Sequence, residues 1–166
     1  DRRSKLIEEG IDLSIRITNR LQPGDIVRKL AQAQLLTVAS PNYLAQHSQP
    51  SHPHELAQHA CLVYSQDFQS TTWSYGTREG ICDVTVRPRL VANNGEALLQ
   101  AAAHGLGITR PPDFMAQPYL DNGSVVPLLS DYEPEPLGIY AVLPSNRYIP
   151  HRVSVLIDYL ADTLNK

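Results

Sequence analysis

The chain has 166 residues, of which 42% are hydrophobic and 19% are charged, and its formal net charge is −3. This length supports one medium domain, or two small lobes, with a real core. The slightly acidic balance argues against a basic surface that would hold a nucleic-acid backbone by counterion release. The lack of an apolar run of about 18 residues argues against a membrane span.

Predicted strands and helices alternate along the chain, which favours an α/β fold. Apolar or alternating runs predict strands at 12–17, 26–31, 35–38, 61–64, 81–87, 89–92, 107–109, 125–129 and 137–143. Helices are predicted at 42–47, 54–59, 97–104, 112–119 and 152–164. We expect 26–31 and 35–38 to be a strand pair or one bent strand, and 65–80 to be a hairpin or a long loop.

Two proline-rich connectors, at 50–53 and 133–136, bracket a middle block and indicate two lobes. The last predicted helix is amphipathic and should dock on the first lobe. The residues of its apolar face are Val153, Leu156, Ile157, Leu160 and Leu164. A chain that crosses twice between lobes leaves a cleft, where small ligands commonly bind.

Sequence signatures of catalysis are lacking. There is no Gly-x-Ser-x-Gly elbow, phosphate loop or dinucleotide fingerprint, so we expect neither an enzyme nor a bound cofactor. His52, His54 and His59 lie close together, but only Glu55 offers a further ligand nearby, and we expect a solvated connector rather than a metal site. Cys61 stands in an apolar run and should be a core residue.

Two junctions between a predicted strand and a predicted helix could hold an anion. Ser40 precedes the helix at 42–47, and Asn94 and Gly95 precede the helix at 97–104. Free N–H groups at a helix start bind anions, but Ser and Asn are also the ordinary caps of helices. Both interpretations remain open for each junction.

Three further residues could line a cleft. Arg16 is a basic residue inside an apolar strand, where it would either face the cleft or pair with an acid such as Asp12. Tyr64 and Trp73 could wall a pocket, although a lone tryptophan is more often part of a core.

Five segments in a fixed order carry a resemblance to one family. They are EGIDLSIR at 9–16, VASPNYL at 38–44, HELAQHACL at 54–62, NNGEAL at 93–98, and GLGI at 105–108 followed by PDF at 112–114. With the tail from Leu137, this order resembles the effector-binding domain of LysR-type bacterial transcriptional regulators. One departure is Thr-Arg-Pro at 109–111, where the family usually has an apolar strand. Arg110 would either pair inside the cleft or lie on an edge.

The resemblance implies a two-lobed fold like that of type 2 periplasmic binding proteins, with three-layer αβα lobes and two crossover connections. We expect lobe I at 1–58 and 137–166 and lobe II at 59–136. The start at Asp1 implies that the first βαβ unit of lobe I and an N-terminal winged helix-turn-helix domain lie outside this chain.

The implied function is to sense a small, carboxylate-bearing effector in the cleft. The candidate effector-binding residues, chosen on position, are Ser40, Asn94, Gly95, Thr109, Tyr64 and Arg16. The implied partners are the effector, further copies of the chain in a dimer or tetramer, and DNA through the N-terminal domain only, in the cytoplasm and without a membrane. The alternative is a periplasmic solute-binding protein of a transporter, built on the same lobes.

Overall fold

The computed structural model describes residues 6, 8–19, 21, 23–65, 71–144 and 149–164. The strands among them are β1 (Ser14–Thr18), β2 (Ile26–Ala33), β3 (Thr37–Ala39), β4 (Ala60–Tyr64), β5 (Thr72–Thr77), β6 (Gly80–Thr85), β7 (Arg87–Ala92), β8 (Ile108–Thr109), β9 (Val126–Leu128), β10 (Glu133–Pro134) and β11 (Leu137–Leu143). The helices are α1 (Pro41–Gln46), α2 (Gly95–Ala103), α3 (Asp113–Asp121) and α4 (His151–Leu164), and a 3-10 helix covers Pro53–Gln58.

The chain forms two compact units. The larger unit is Gln34–Glu135, and the smaller unit is formed by the described parts of Arg3–Ala33 and Pro136–Lys166. The chain therefore passes between the units twice, after Ala33 and after Glu135.

The first crossing comes earlier than the expected lobe boundary at 58/59. Residues 34–58 had been assigned to lobe I, whereas they belong to the larger unit. The physical reason is β3, which hydrogen-bonds to both β8 and β9 and so lies inside the sheet of that unit. The expectation that 26–31 and 35–38 form a strand pair or one bent strand is wrong, because β2 pairs with β11 and β3 belongs to a different sheet.

The larger unit is built on a five-stranded sheet in the order β7-β4-β8-β3-β9. Side chains alternate between its two faces, as a period of two requires. One face packs under α2 and α3, with a core that includes Val38, Leu62, Leu98 and Leu99. The other face packs against α1, the 3-10 helix and the β5–β6 hairpin. The predicted α/β fold is confirmed.

The core of the second face contains Cys61, as the sequence predicted, and Trp73, which the sequence left between a pocket wall and a core. Cys61 and Trp73 are both buried there, together with Tyr43 and Tyr75. The hairpin predicted as one option for 65–80 is partly present, since β5 pairs antiparallel with β6. The segment expected to be a linker forms β10, which pairs with Tyr75 and Gly76 of β5.

The smaller unit is an antiparallel sheet in the order β1-β11-β2, on which α4 packs. Val153 and Ile157 are the buried residues of α4, and Leu160 lies against the same core. Leu156 and Leu164, predicted on the same face, are 46% and 45% exposed. No helix in the described ranges is long and apolar enough to cross a membrane.

Candidate functional site

Strand direction decides which residues of the larger unit meet. β4 is parallel to β7 and β8, whereas β3 is antiparallel to β8 and β9. The carboxyl ends of β4, β7 and β8 therefore lie at one edge of the sheet, together with the amino end of β3. We call this the carboxyl edge, and it is where parallel α/β sheets place their ligands.

Four of the six candidate residues end or follow strands whose carboxyl ends lie at the carboxyl edge. Tyr64 is the last residue of β4 and is 44% exposed. Asn94 and Gly95 come directly after β7 and begin α2. Thr109 is the last residue of β8. The structure therefore brings these four positions to one side of the larger unit.

The side chains at this edge differ in which hydrogen-bonding groups remain available to a ligand. Thr109 is 3% exposed, and its hydroxyl donates to the carbonyl of Leu62 at 3.1 Å, so it is engaged inside the sheet. The Asn94 Oδ1 accepts the N–H of Ala97 at 3.0 Å, so Asn94 caps α2. Its amide nitrogen is not part of this cap, and the exposed Asn94 can donate from it to a bound anion.

Ser40 lies at the opposite edge of the same sheet. It follows β3, and β3 runs against its neighbours β8 and β9. Ser40 is 1% exposed, and its Oγ accepts the N–H of Tyr43 at 3.2 Å to cap α1. The structure thus does not bring Ser40 together with Asn94, although both follow a strand and cap a helix.

Arg16 belongs to the smaller unit, in β1. Its Nη1 lies 3.1 Å from Oδ2 of Asp25, and both side chains are largely covered. The acid considered in the sequence, Asp12, instead pairs with Arg152 at 2.9 Å. Arg16 is therefore held by an ion pair within its own unit.

The sequence left Arg110 either paired inside the cleft or lying on an edge, and in the structure it follows β8 directly at the carboxyl edge. Its guanidinium lies 4.9 Å from the ring centre of Trp73 and 5.2 Å from that of Tyr75. Its Nη1 donates to the carbonyl of Ser74 at 3.1 Å. Its Nε is buried and has no hydrogen-bond partner among the residues that the structure describes.

A buried hydroxyl pair lies next to this guanidinium. The Thr37 and Tyr75 hydroxyls share a hydrogen bond of 2.9 Å. Burial raises the pKa of Tyr75, against the opposing effect of the nearby Arg110 charge. Burial likewise lowers the pKa of Arg110. The sequence drew attention to Arg110 by its charge at a position where an apolar strand residue was expected, but it gave no sign of the contacts with Trp73 and Tyr75.

A depression of about 500 Å³ lies elsewhere in the larger unit. Its lining residues are His52, Thr77, Arg78, Glu79, Asp131 and Tyr132. None of the six candidate residues is among them, so this depression adds nothing to the predicted site. Within the described ranges, no three His, Cys, Asp or Glu side chains are grouped in a way that could hold a metal ion.

Comparison with known proteins gives consistent matches. The family model described as the LysR substrate binding domain matches residues 1–165. The HTH-type transcriptional activator TtdR of Escherichia coli is 32% identical over 162 residues, which are 97% of this chain and 52% of that protein. The chain spans about half the length of the curated relatives it matches.

Solved structures agree with these relatives. Full-length AphB, a virulence activator of Vibrio cholerae, matches with a TM-score of 0.80 at 30% identity, over 98% of this chain and 55% of AphB. The regulatory domain of CrgA from Neisseria meningitidis matches with a TM-score of 0.80 at 29% identity, over 95% of this chain and 78% of that domain. The matches agree with the resemblance found in the sequence.

Proposed function

Because this chain belongs to the LysR substrate-binding domain family, we propose that it binds a small-molecule effector as the regulatory part of a LysR-type transcriptional regulator. The observation that carries the proposal is the carboxyl edge of the larger unit, where Tyr64, Asn94, Gly95 and Thr109 gather at the ends of parallel strands. Such an edge is the usual ligand site of an open α/β sheet.

The chemistry of this edge favours an anionic effector. α2 begins here with N–H groups that its own turns do not satisfy, and its partial positive charge favours a negative group. Asn94 adds an amide donor at the same point. We therefore propose a carboxylate-bearing molecule, held partly by the start of α2 and partly by the exposed Tyr64 at the end of β4.

The remaining parts of the proposal follow the relatives. TtdR is named a transcriptional activator with a helix-turn-helix, and AphB is titled a virulence activator. We propose that effector binding shifts the population of two conformations of an oligomer in the cytoplasm, and that a separate N-terminal module binds DNA. The relatives are regulators rather than enzymes, and we propose no catalytic activity for this chain.

The matched variants Asn94→Ala and Ser40→Ala test where the effector binds. Each removes one helix cap, at a cost of about 1 kcal/mol of stability, but only Asn94 lies at the carboxyl edge. Calorimetric titration with a panel of small carboxylates should show weaker binding for Asn94→Ala and unchanged binding for Ser40→Ala. Equal affinities in the two variants would remove the carboxyl edge from consideration.

The codons upstream of Asp1 in the intact gene test the regulator assignment independently of any ligand. A helix-turn-helix pattern followed by a long helix is the expected result. A secretory signal in its place would contradict the proposal and favour periplasmic solute binding.

A further inference from the structure

We propose that Arg110 is the residue that recognises the negatively charged group of the effector, and that it selects carboxylates over neutral analogues. The inference rests on the proposed function and adds to it the residue that determines the ligand class. Arg110 is not one of the six residues that the sequence singled out. It directly follows Thr109 at the carboxyl edge, which is the edge that Asn94 and Gly95 share.

Arg110 is a covered cation without an anion. The ion pairs between described residues, Arg16–Asp25, Arg28–Asp158 and Arg152–Asp12, all lie in the smaller unit. Among the described residues, no carboxylate lies within ion-pair distance of Arg110. Buried charges in proteins are normally paired, because leaving water without a partner is costly.

The groups that do contact Arg110 leave its charge uncompensated. Two aromatic faces, those of Trp73 and Tyr75, hold the guanidinium in place together with the carbonyl of Ser74 and the Tyr75 hydroxyl. The pKa of Arg110 is lowered mainly by burial, and no carboxylate acts against this effect. The neighbours therefore position the guanidinium without neutralising its charge. This is the arrangement expected of an anion-binding group in the ligand-free protein.

Arg110 has an unused hydrogen-bond donor, Nε–H, at the edge of the guanidinium that suits a carboxylate. The Nη1 group is bonded to Ser74, whereas the buried Nε has no partner among the described residues. An Nε–H and one terminal N–H form one edge of a planar guanidinium, and a carboxylate accepts both at once. A lysine would supply the charge but not this paired edge.

A purely structural role predicts a different behaviour. In that case Arg110 would serve only to tie β8 to β5 through Ser74 and the two rings, and its replacement would lower stability without affecting any ligand. If Arg110 instead binds the anionic group of the effector, its charge is buried without an anion in the ligand-free protein, and removing that charge relieves a desolvation cost. The two roles are therefore separable by measuring ligand binding and ligand-free stability on the same variants.

The test compares carboxylates with their amides on four proteins. Succinate and benzoate are titrated by calorimetry against succinamide and benzamide, using wild type, Arg110→Gln, Arg110→Lys and Arg87→Gln. Arg87 is the control because it is exposed and lies at the amino end of β7, the far end of that strand from the carboxyl edge. Inorganic phosphate and sulfate at matched ionic strength form a further arm.

The expected result is that wild type binds a carboxylate and not its amide. Arg110→Gln should lower this affinity roughly ten- to a hundred-fold, as expected for loss of a charged hydrogen bond. Arg110→Lys should recover part of it, and Arg87→Gln should leave it unchanged. Thermal unfolding of ligand-free Arg110→Gln should occur at or above the wild-type temperature.

Three results would overturn the inference. One is equal carboxylate affinity in wild type and Arg110→Gln, and another is a wild type that binds none of the carboxylates. The third is binding of phosphate and sulfate as tight as that of the carboxylates, which would indicate an unselective anion site. If an amide binds, and its binding is lost in Asn94→Ala but kept in Arg110→Gln, the proposed function stands and this inference alone fails.

Discussion

Gly107 allows β8 to lie against β4, and replacing it with alanine should strongly destabilise the larger unit. Gly107 has φ of +157°, a conformation that is essentially confined to glycine. A Cβ at this position would lie 2.3 Å from the backbone oxygen of Ala60 and 3.0 Å from its carbonyl carbon. Neither atom can move away by a side-chain rotation, so the two strands would have to separate where Cys61 pairs with Ile108.

The expected magnitude has two parts. The unfavourable backbone conformation costs about 1–3 kcal/mol, and forcing an extra methyl group into a packed site costs about 1–3 kcal/mol more. We therefore expect Gly107→Ala to lower the free energy of unfolding by about 4 kcal/mol. This is a large share of the 5–15 kcal/mol that is typical of a whole domain, so Gly107→Ala should be at the limit of folding.

Gly123→Ala is the matched control. Gly123 also has a positive φ, of +72°, but nothing lies within 4 Å of the added Cβ. Only the backbone strain remains, at about 1–2 kcal/mol. The excess cost of Gly107→Ala over Gly123→Ala therefore reports on the contact between the strands together with the difference between the two backbone conformations.

Urea denaturation followed by tryptophan fluorescence is the appropriate assay. Trp73 is the sole tryptophan of the chain and is buried in the larger unit, so its emission reports on that unit. With a urea dependence of about 2 kcal/mol per molar, the Gly107→Ala midpoint should fall by about 2 M. The reasoning is refuted if Gly107→Ala costs no more than Gly123→Ala.

Three further predictions concern buried polar groups. The Tyr43 hydroxyl accepts the N–H of Ala60 at 3.1 Å and is hydrogen-bonded to His59 at 3.1 Å. Tyr43→Phe should therefore lower the free energy of unfolding, measured by urea denaturation, by about 1–3 kcal/mol. An unchanged midpoint would show that water replaces both bonds. Burial lowers the pKa of His59 from its usual value of about 6.5. The unfolded chain therefore takes up a proton more readily than the folded protein, and stability should fall as the pH drops below about 6.5; urea midpoints at several pH values should show this fall in wild type and a smaller fall in His59→Gln. Burial raises the pKa of Cys61 to about 12. At neutral pH a thiol reagent should therefore modify Cys82 in the native protein and Cys61 only after unfolding. Rapid modification of both cysteines in the native protein would contradict the buried position of Cys61.

Local features of the fold were predictable because they depend on neighbouring residues. A proline after Ser40 and an Ala- and Leu-rich run after Asn94 indicate helix starts, and α1 and α2 begin at these points. The apolar run that contains Cys61 indicated a buried strand, and β4 is one. The ordered motifs similarly identified the family, because each is a contiguous segment that can be recognised without knowledge of its partners.

The candidate site was only partly predictable, because it depends on how strands pair. Ser40 and Asn94 look alike in the sequence, each following a strand and preceding a helix, yet the antiparallel direction of β3 puts them at opposite edges of one sheet. Similarly, Asp12 is close to Arg16 in the sequence, but the tertiary structure brings Asp25 to Arg16 instead.

The sequence by itself determined the α/β class, the family and most helix and strand positions, since hydrophobic periodicity and capping are written in contiguous residues. The tertiary structure alone decided the division into units at Gln34, the separation of the two capping residues, and the covered guanidinium of Arg110. These features arise from contacts between distant segments. Arg110 meets Trp73 and Tyr75 only because β8 and the β5–β6 hairpin pack in the same unit. No local sequence pattern indicates this packing. Strand order and strand direction therefore could not be inferred from the single sequence.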